Sequence, residues 1–273
     1  MGEQILYGQG SFDKFLTRFT DESNDPFDHT HAQFFEKLIP GMNIEHANRY
    51  IFAAQKLKAL HIANPIVIDA ASGQGYGAKI IKELVPNAKI IGYDHNPKTL
   101  EAARRKYGSY GTYVWSDVRH IPTENAKADM TTAFETLEHL PSEDQPKFLQ
   151  ELKRITKPGG LIVLSVPYPS STYRDKNNKI HRGFGSGYHL YEPTADEMKS
   201  MITSSGLKIV GEYGQAVAHS KRAKTMSRIN RVVPIWSLYA WFPALKRDHS
   251  VQPMPEQPNL TSLIRVFIVK SSI

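Results

Sequence analysis

Apolar positions change their spacing along this chain, and the changes mark its elements. Residues 1–29 are polar and turn-rich and predict an extended arm. Thr30 to Ile39 and Ile44 to Leu60 predict helices, the second carrying Ile51, Phe52, Ala54, Leu57 and Leu60 at helical spacing. After Pro65 short apolar runs alternate with amphipathic stretches. The strands are IVIDA, AKIIGYD, GTYVWSD, DMTTAF, GLIVLSVP, LKIVGEYG and SLIRVFIVK. The helices between them are AKIIKELV, PKTLEAARRKYG, EDQPKFLQELKRIT and TADEMKSMITSSG. Strands alternating with helices predict an α/β fold with a mostly parallel, doubly wound sheet. The chain therefore divides into an arm and cap helices over 1–62 and one α/β domain over 63–273. An insert over 216–261 separates the last two strands.

Composition narrows the chemistry. A chain of 273 residues buries a full core without staples. It contains no cysteine, which excludes a disulfide scaffold, a thiolate zinc site and a cysteine nucleophile, and fits a reducing, cytoplasmic compartment. The apolar stretches 159–173 and 232–245 are too short to span a bilayer, and the N-terminus lacks the pattern of a signal peptide. The formal net charge of +7 lies entirely beyond residue 215, where nine Lys and Arg face only Asp248 and Glu256. Within the insert, KRAKTMSRINR and KRDH flank an apolar stretch holding Trp236, Tyr239, Trp241 and Phe242. That pattern suits a helical cap or homodimer surface, a peripheral contact of 221–247 with the inner face of a membrane, or a nucleic-acid backbone, in that order.

Chemistry-bearing residues gather at strand ends. Asp69 closes the first strand, and Gly73, Gly75 and Gly77 follow before a helix opens. Such a loop brings backbone N–H groups and a helix N-terminus up to a ligand. Asp94 ends the second strand, where a carboxylate takes both hydroxyls of a ribose, and Asp117 follows the third, where an adenine edge would lie. After the fourth strand comes Glu135-Thr-Leu-Glu138-His139. If helical, this segment puts Glu135, Glu138 and His139 on one face, a set suited to a divalent cation such as Mg²⁺ or Mn²⁺. His139 as a plain general base and a purely structural box are the other two readings.

The motif D-A-A-S-G-Q-G-Y-G, the acids Asp94 and Asp117, the box FETLEHL, KPGG at 157–160 and HLYEPTADEM at 189–198 together resemble the class I S-adenosylmethionine-dependent methyltransferases. The resemblance covers roughly residues 30–214 and the last strand. Ala71 stands where that family's first glycine is usual. The stretch GMNIEHANRYIFAA is similar to a bacterial subgroup associated with sugar and glycan methylation. The resemblance implies a Rossmann-like seven-stranded sheet of order 3-2-1-4-5-7-6, its last strand antiparallel. It implies S-adenosylmethionine as cofactor, held by Asp69, Ala71, Gly73, Gly75, Asp94, His95, Asp117, Val118 and Glu135. Arg49, on the helix before the motif, is the candidate for the methionine carboxylate, which a guanidinium matches bidentately.

The E-x-x-E-H arrangement also resembles small-RNA 2′-O-methyltransferases and some ubiquinone-pathway O-methyltransferases. That likeness implies His189 as a fourth metal ligand beside Glu135, Glu138 and His139, with His181 in reserve. Tyr168, Tyr173, His181 and Tyr188, in the polar, aromatic stretch 167–193, suit a polyhydroxylated acceptor. The expected function is O-methylation of a sugar or glycan intermediate, with Glu138 and His139 serving the acceptor. Methylation of a quinone precursor, methylation of an RNA ribose and a cofactor-binding module without turnover are the alternatives.

Overall fold

In the computed structural model, the described residues are 42–167, 172–174, 180–182, 189–215, 218–219, 251–253, 260–261 and 264–271. The predicted helix Thr30 to Ile39, Tyr168, Tyr188 and the basic and aromatic part of the insert lie outside them. The core strands are β1 (Ile66–Ala70), β2 (Lys89–Asp94), β3 (Thr112–Trp115), β4 (Ala128–Phe134), β5 (Thr156–Pro167), β6 (Leu207–Gln215) and β7 (Ile264–Ser271). They form one sheet in the order β6-β7-β5-β4-β1-β2-β3, the expected order, and Gln252–Pro253 adds a two-residue eighth strand outside β6. β7 runs antiparallel to both β5 and β6, while β1 to β5 pair in parallel.

The helices are α1 (Met42–Lys58), α2 (Tyr76–Leu84), α3 (Pro97–Tyr107), α4 (Gln145–Ile155) and α5 (Ala195–Ser204). Their apolar stripes explain the layers. α1 buries Ala47, Tyr50, Ile51, Ala54 and Leu57 in the same core as Val67, Ile90, Met130 and Val266. α4 and α5 bury Phe148, Leu152, Met198 and Ile202 on the opposite face, against Ile68, Ile162 and Phe267. The helix assigned to the N-terminal cap is thus part of the main core. β4 lies at the centre of the sheet and is buried along its whole length. Its polar residues are satisfied inside: Thr132 donates to Asp69, and Thr131 bonds Thr156 across the sheet.

Two details differ from the sequence expectation. KPGG does not precede β5 but lies within it, because Thr156 already pairs with Ala128; the register shifts before Leu161. In the 167–193 stretch, Thr172–Arg174 pairs antiparallel with Ile180–Arg182, which sets Tyr173 opposite His181. The two ends of the insert also pair, Ala218–His219 with Leu260–Thr261. Among the described residues no helix is long and apolar enough to cross a membrane.

Candidate active site

Parallel strands place the loops after β1, β2, β3 and β4 at one edge of the sheet, the usual crevice for ligands in such sheets. The loop after β1 turns through left-handed residues Ala71, Gly73 and Gly75. At Gly75, φ is 83° and a Cβ would lie 2.6 Å from the Tyr113 ring, so this position excludes side chains by packing. Tyr113 donates its hydroxyl proton to the Gly75 carbonyl at 2.8 Å. At Gly73 the reverse holds: φ is 52° and a Cβ would meet nothing within 4 Å. Bare backbone there faces open space, the cradle a nucleotide cofactor needs.

The three strand-end acids play unequal parts. Asp94 accepts from the Gly73 N–H and the Asn96 N–H, both at 2.9 Å, so it ties the glycine loop to the end of β2. Its neighbour His95 is 81% exposed in its side chain. Asp117 is chelated by Arg119, whose hydrogen bonds hold its carboxyl down at about 2. Arg119 also donates to Asp144, just before α4, and so ties the loop after β3 to that helix. Val118 beside it is buried.

Asp69 departs from the expected cofactor role. It is buried, one oxygen accepting from Tyr50 and the other from Thr132. Burial raises its pKa to about 7 against the pull of those hydrogen bonds. Its carboxylate therefore ties the end of β1 to α1 and β4.

Arg49 is fully buried on α1. Its Nη1 donates to Gln215 at 2.8 Å, and its Nη2 lies 2.7 Å from His46 Nδ1. Burial and the Arg49 charge push the His46 pKa well down, which suits the neutral ring to accept that bond. Arg49 Nε has no hydrogen-bond partner. A guanidinium in this setting fits a carboxylate.

On the acceptor side, the expected common helical face of Glu135, Glu138 and His139 does not form. Glu135 adopts φ 48°, and its N–H is taken by Ser165 on the neighbouring strand. Its carboxylate accepts from Ser165 Oγ at 2.7 Å. Only Leu137–His139 turns, as a single 3₁₀ turn. Glu138, His139 and His189 do come together, with one ligand atom from each within 4.8 Å of the others, and Glu135 lies outside that group. The two imidazoles meet edge to face at 5.0 Å.

Glu138 has no exposed surface, and among the described residues neither carboxylate oxygen has a hydrogen-bond partner, although His139 Nε2 lies 3.9 Å from its Oε1. Burial pushes its carboxyl far above the usual range. The charges of Glu135 and Glu192 add to this, and Arg49 opposes it.

Three residues of this edge escaped the sequence reading. Gln145, fully buried at the start of α4, donates its amide to the carbonyls of Leu137 at 3.0 Å and Tyr191 at 2.8 Å. It thereby staples the 3₁₀ turn to the segment carrying His189. Glu192 is fully buried with Oε1 2.5 Å from His189 Nδ1. Trp115, 59% exposed, shares the face of β3 with Tyr113 and donates its ring N–H to the His95 carbonyl. Only Trp115 carried a sequence signal, as an aromatic two residues before a strand-end acid.

Comparison with known proteins adds the family. The family described as "Methyltransferase domain" matches residues 67–160, which hold the glycine loop, Asp94, Asp117 and the Glu135–His139 box. The chain is 27% identical over 186 residues to a probable S-adenosylmethionine-dependent methyltransferase of Mycolicibacterium smegmatis, covering 66% of each protein, just under two thirds of that relative. It is 29% identical to a demethylmenaquinone methyltransferase of Thermus thermophilus, covering 59% of this chain and 84% of that one. In fold it is similar to magnesium protoporphyrin IX methyltransferase from Synechocystis with bound SAH: TM-score 0.55, 14% identity, 97% of this chain and 95% of that one.

Proposed function

We propose that the chain is a class I S-adenosylmethionine-dependent methyltransferase, like the relatives it resembles, and that it methylates a hydroxyl oxygen of a sugar or glycan intermediate. The carrying observation is the Glu138 carboxylate, buried without a hydrogen-bond partner beside the imidazoles of His139 and His189. This cluster stands at the end of β4, next to β1, whose own end carries the open Gly73 cradle. The cradle and the buried Arg49 guanidinium fit S-adenosylmethionine: backbone for the nucleoside, a cation for the methionine carboxylate. The cofactor supplies an electrophilic methyl on a sulfonium.

What the protein adds is alignment and proton removal. Asp94 holds the loop and the ribose hydroxyls. His139, about one third exposed, reaches the acceptor and takes its proton as the new O–CH₃ bond forms and the S–CH₃ bond breaks. The Glu138 carboxyl, 3.9 Å from His139 Nε2, lines the pocket beside the ring that takes this proton.

The grouping of Glu138, His139 and His189 within 4.8 Å supports a second reading. There the three would hold a divalent cation such as Mg²⁺ or Mn²⁺, which would supply Lewis-acid activation of the acceptor hydroxyl. A quinone-precursor acceptor draws support from the demethylmenaquinone relative alone.

One assay sorts these readings. Labelled S-adenosylmethionine is offered with sugars, a catechol and a short RNA, with and without chelator, and release of S-adenosylhomocysteine is followed. Turnover on a sugar that survives chelator supports the His139 base. Loss with chelator and recovery with Mg²⁺ or Mn²⁺ supports the cation. Turnover on the catechol or RNA alone overturns the sugar assignment.

A further inference from the structure

The segment that delivers His189 is pinned from several sides. The Leu190 and Tyr191 N–H groups both donate to the Glu138 carbonyl, at 2.8 and 3.2 Å. The Gln145 amide holds the Tyr191 carbonyl. The Tyr191 hydroxyl donates to Glu197, which also closes a capping box with Thr194 at the start of α5. Pro193 restricts the backbone of Glu192 to extended conformations. A buried carboxylate on a backbone fixed in this way is costly unless it meets a donor, and its Oε1 lies 2.5 Å from His189 Nδ1. At that distance a neutral imidazole is expected to carry its proton on Nδ1 and donate it to Glu192. The ring is 15% exposed and stands against the His139 ring.

We propose that Glu192 is a positioning residue of the acceptor site. It holds His189 in the Nδ1–H tautomer, which makes Nε2 the acceptor atom of a ring that stands beside Glu138 and His139. This deepens the methyltransferase reading and rests on it, since His189 matters only if that pocket receives the acceptor. It serves both readings of the site: a neutral Nε2 lone pair takes a proton or binds a cation, and the carboxylate behind the ring fixes its tautomer and orientation either way.

The test is spectroscopic, so it needs no known acceptor. Long-range proton–nitrogen spectra of ¹⁵N-labelled protein, taken about two units above the ordinary imidazole pKa, report which ring nitrogen carries the proton. His189→Gln assigns the signal. In the unaltered protein His189 should be protonated at Nδ1 and bare at Nε2. In Glu192→Gln the carboxamide donates as well as accepts, so the population should shift toward the Nε2–H tautomer. S-adenosylhomocysteine affinity should stay within about twofold by calorimetry, because Glu192 lies on the acceptor side.

An Nε2–H ring or a doubly protonated ring in the unaltered protein overturns the proposal, as does an unchanged tautomer in Glu192→Gln. If Glu192→Gln does not fold, Glu192→Asp retains the carboxylate at a longer reach. Its Nδ1 proton should exchange with solvent at least about tenfold faster, and an unchanged rate overturns the proposal. Failure of the unaltered protein to bind S-adenosylhomocysteine would instead strike the methyltransferase reading and leave the tautomer result standing.

Discussion

The two halves of the ligand edge are built on opposite principles. On the side of β1, β2 and β3, nearly every carboxylate is committed. Asp69 is held by Tyr50 and Thr132, Asp94 by two backbone N–H groups, and Asp117 by Arg119. On the side of β4, Glu135 is likewise held by Ser165, but among the described residues Glu138 has no hydrogen-bond partner, and Glu192 approaches an imidazole. Saturated hydrogen bonds make a rigid cradle for a ligand that many enzymes share. A buried carboxylate without a partner is unfavourable in isolation, and such groups concentrate where chemistry is done. On the proposed function, that difference assigns reactivity to the β4 side and recognition to β1 to β3.

The largest expected effect tests that division by turnover. His139→Ala and His189→Ala should each lower kcat by about 10²- to 10⁴-fold on the acceptor that the assay identifies, the range for a positioned proton acceptor. S-adenosylhomocysteine affinity should change by less than about twofold. The double variant should lose much less than the product of the two, because both serve one site. Single-turnover rates and calorimetry on the same preparations check this. A parallel loss of cofactor affinity would break the division.

Next is a gain of stability. Replacing Glu138 by leucine removes a buried group that has no compensating hydrogen bond. Glu138→Leu should therefore stabilise the fold by about 1–4 kcal/mol in urea titrations while abolishing turnover. The pH dependence follows from the direction of its pKa. Burial raises the folded value above the unfolded one, so folding favours the protonated form. The stability it contributes is full below the unfolded pKa and is lost as pH rises through the folded value. The gain from Glu138→Leu should therefore grow with pH. A destabilised variant would mean that Glu138 is satisfied after all.

How much of this was legible depended on the range of the forces involved. Strand and helix positions followed from period, a local signal, whereas the order of the strands in the sheet came with the family resemblance carried by the glycine loop and the strand-end acids. Within α1, burial of Ile51, Phe52, Ala54 and Leu57 matched the helical spacing. The Glu135 expectation failed because residue spacing alone says helix, whereas Ser165, thirty residues downstream on β5, captures the backbone and carboxylate of Glu135 and turns it left-handed. Gln145 and Glu192 were invisible for the same reason: what marks them is a carbonyl or an imidazole on another segment. The start of β5 at Thr156 was hidden by the glycines of KPGG, which read as a turn but lie in a strand.

On the recognition side, the sharpest single change is Asp94→Ala. It removes the carboxylate that orders Gly73 and that is proposed to accept from two ribose hydroxyls. Charged hydrogen bonds of this kind contribute about 1.5–3 kcal/mol each, so S-adenosylmethionine affinity should fall by that amount in calorimetry. Because Asp94 accepts from backbone N–H groups, part of the loss should appear without ligand, as weaker amide protection at Gly73 and Asn96. Unchanged affinity would remove Asp94 from the ribose role and make it a loop clamp only.

The smallest expected effect concerns Trp115. Alternate residues of a strand share a face, so Trp115 lies on the side of β3 from which the Tyr113 ring meets the Gly75 loop. It stands nearer the carboxyl end, where Asp117 follows, and its ring N–H is held by the His95 carbonyl at 2.8 Å. An exposed indole fixed at that edge offers a flat apolar face to a purine. Aromatic pairs of this geometry contribute about 0.5–1.5 kcal/mol beyond area burial, so Trp115→Ala should weaken S-adenosylhomocysteine binding by about 2- to 10-fold. Trp115→Phe, which keeps a ring but loses the N–H, should recover most of it. Trp115 fluorescence should also change on titration with the cofactor product, read against the Trp115→Phe background. If affinity and fluorescence are both indifferent to ligand, the exposed indole is no part of the cradle. Recognition on this side would then rest on Asp94, Asp117 and the glycine loop.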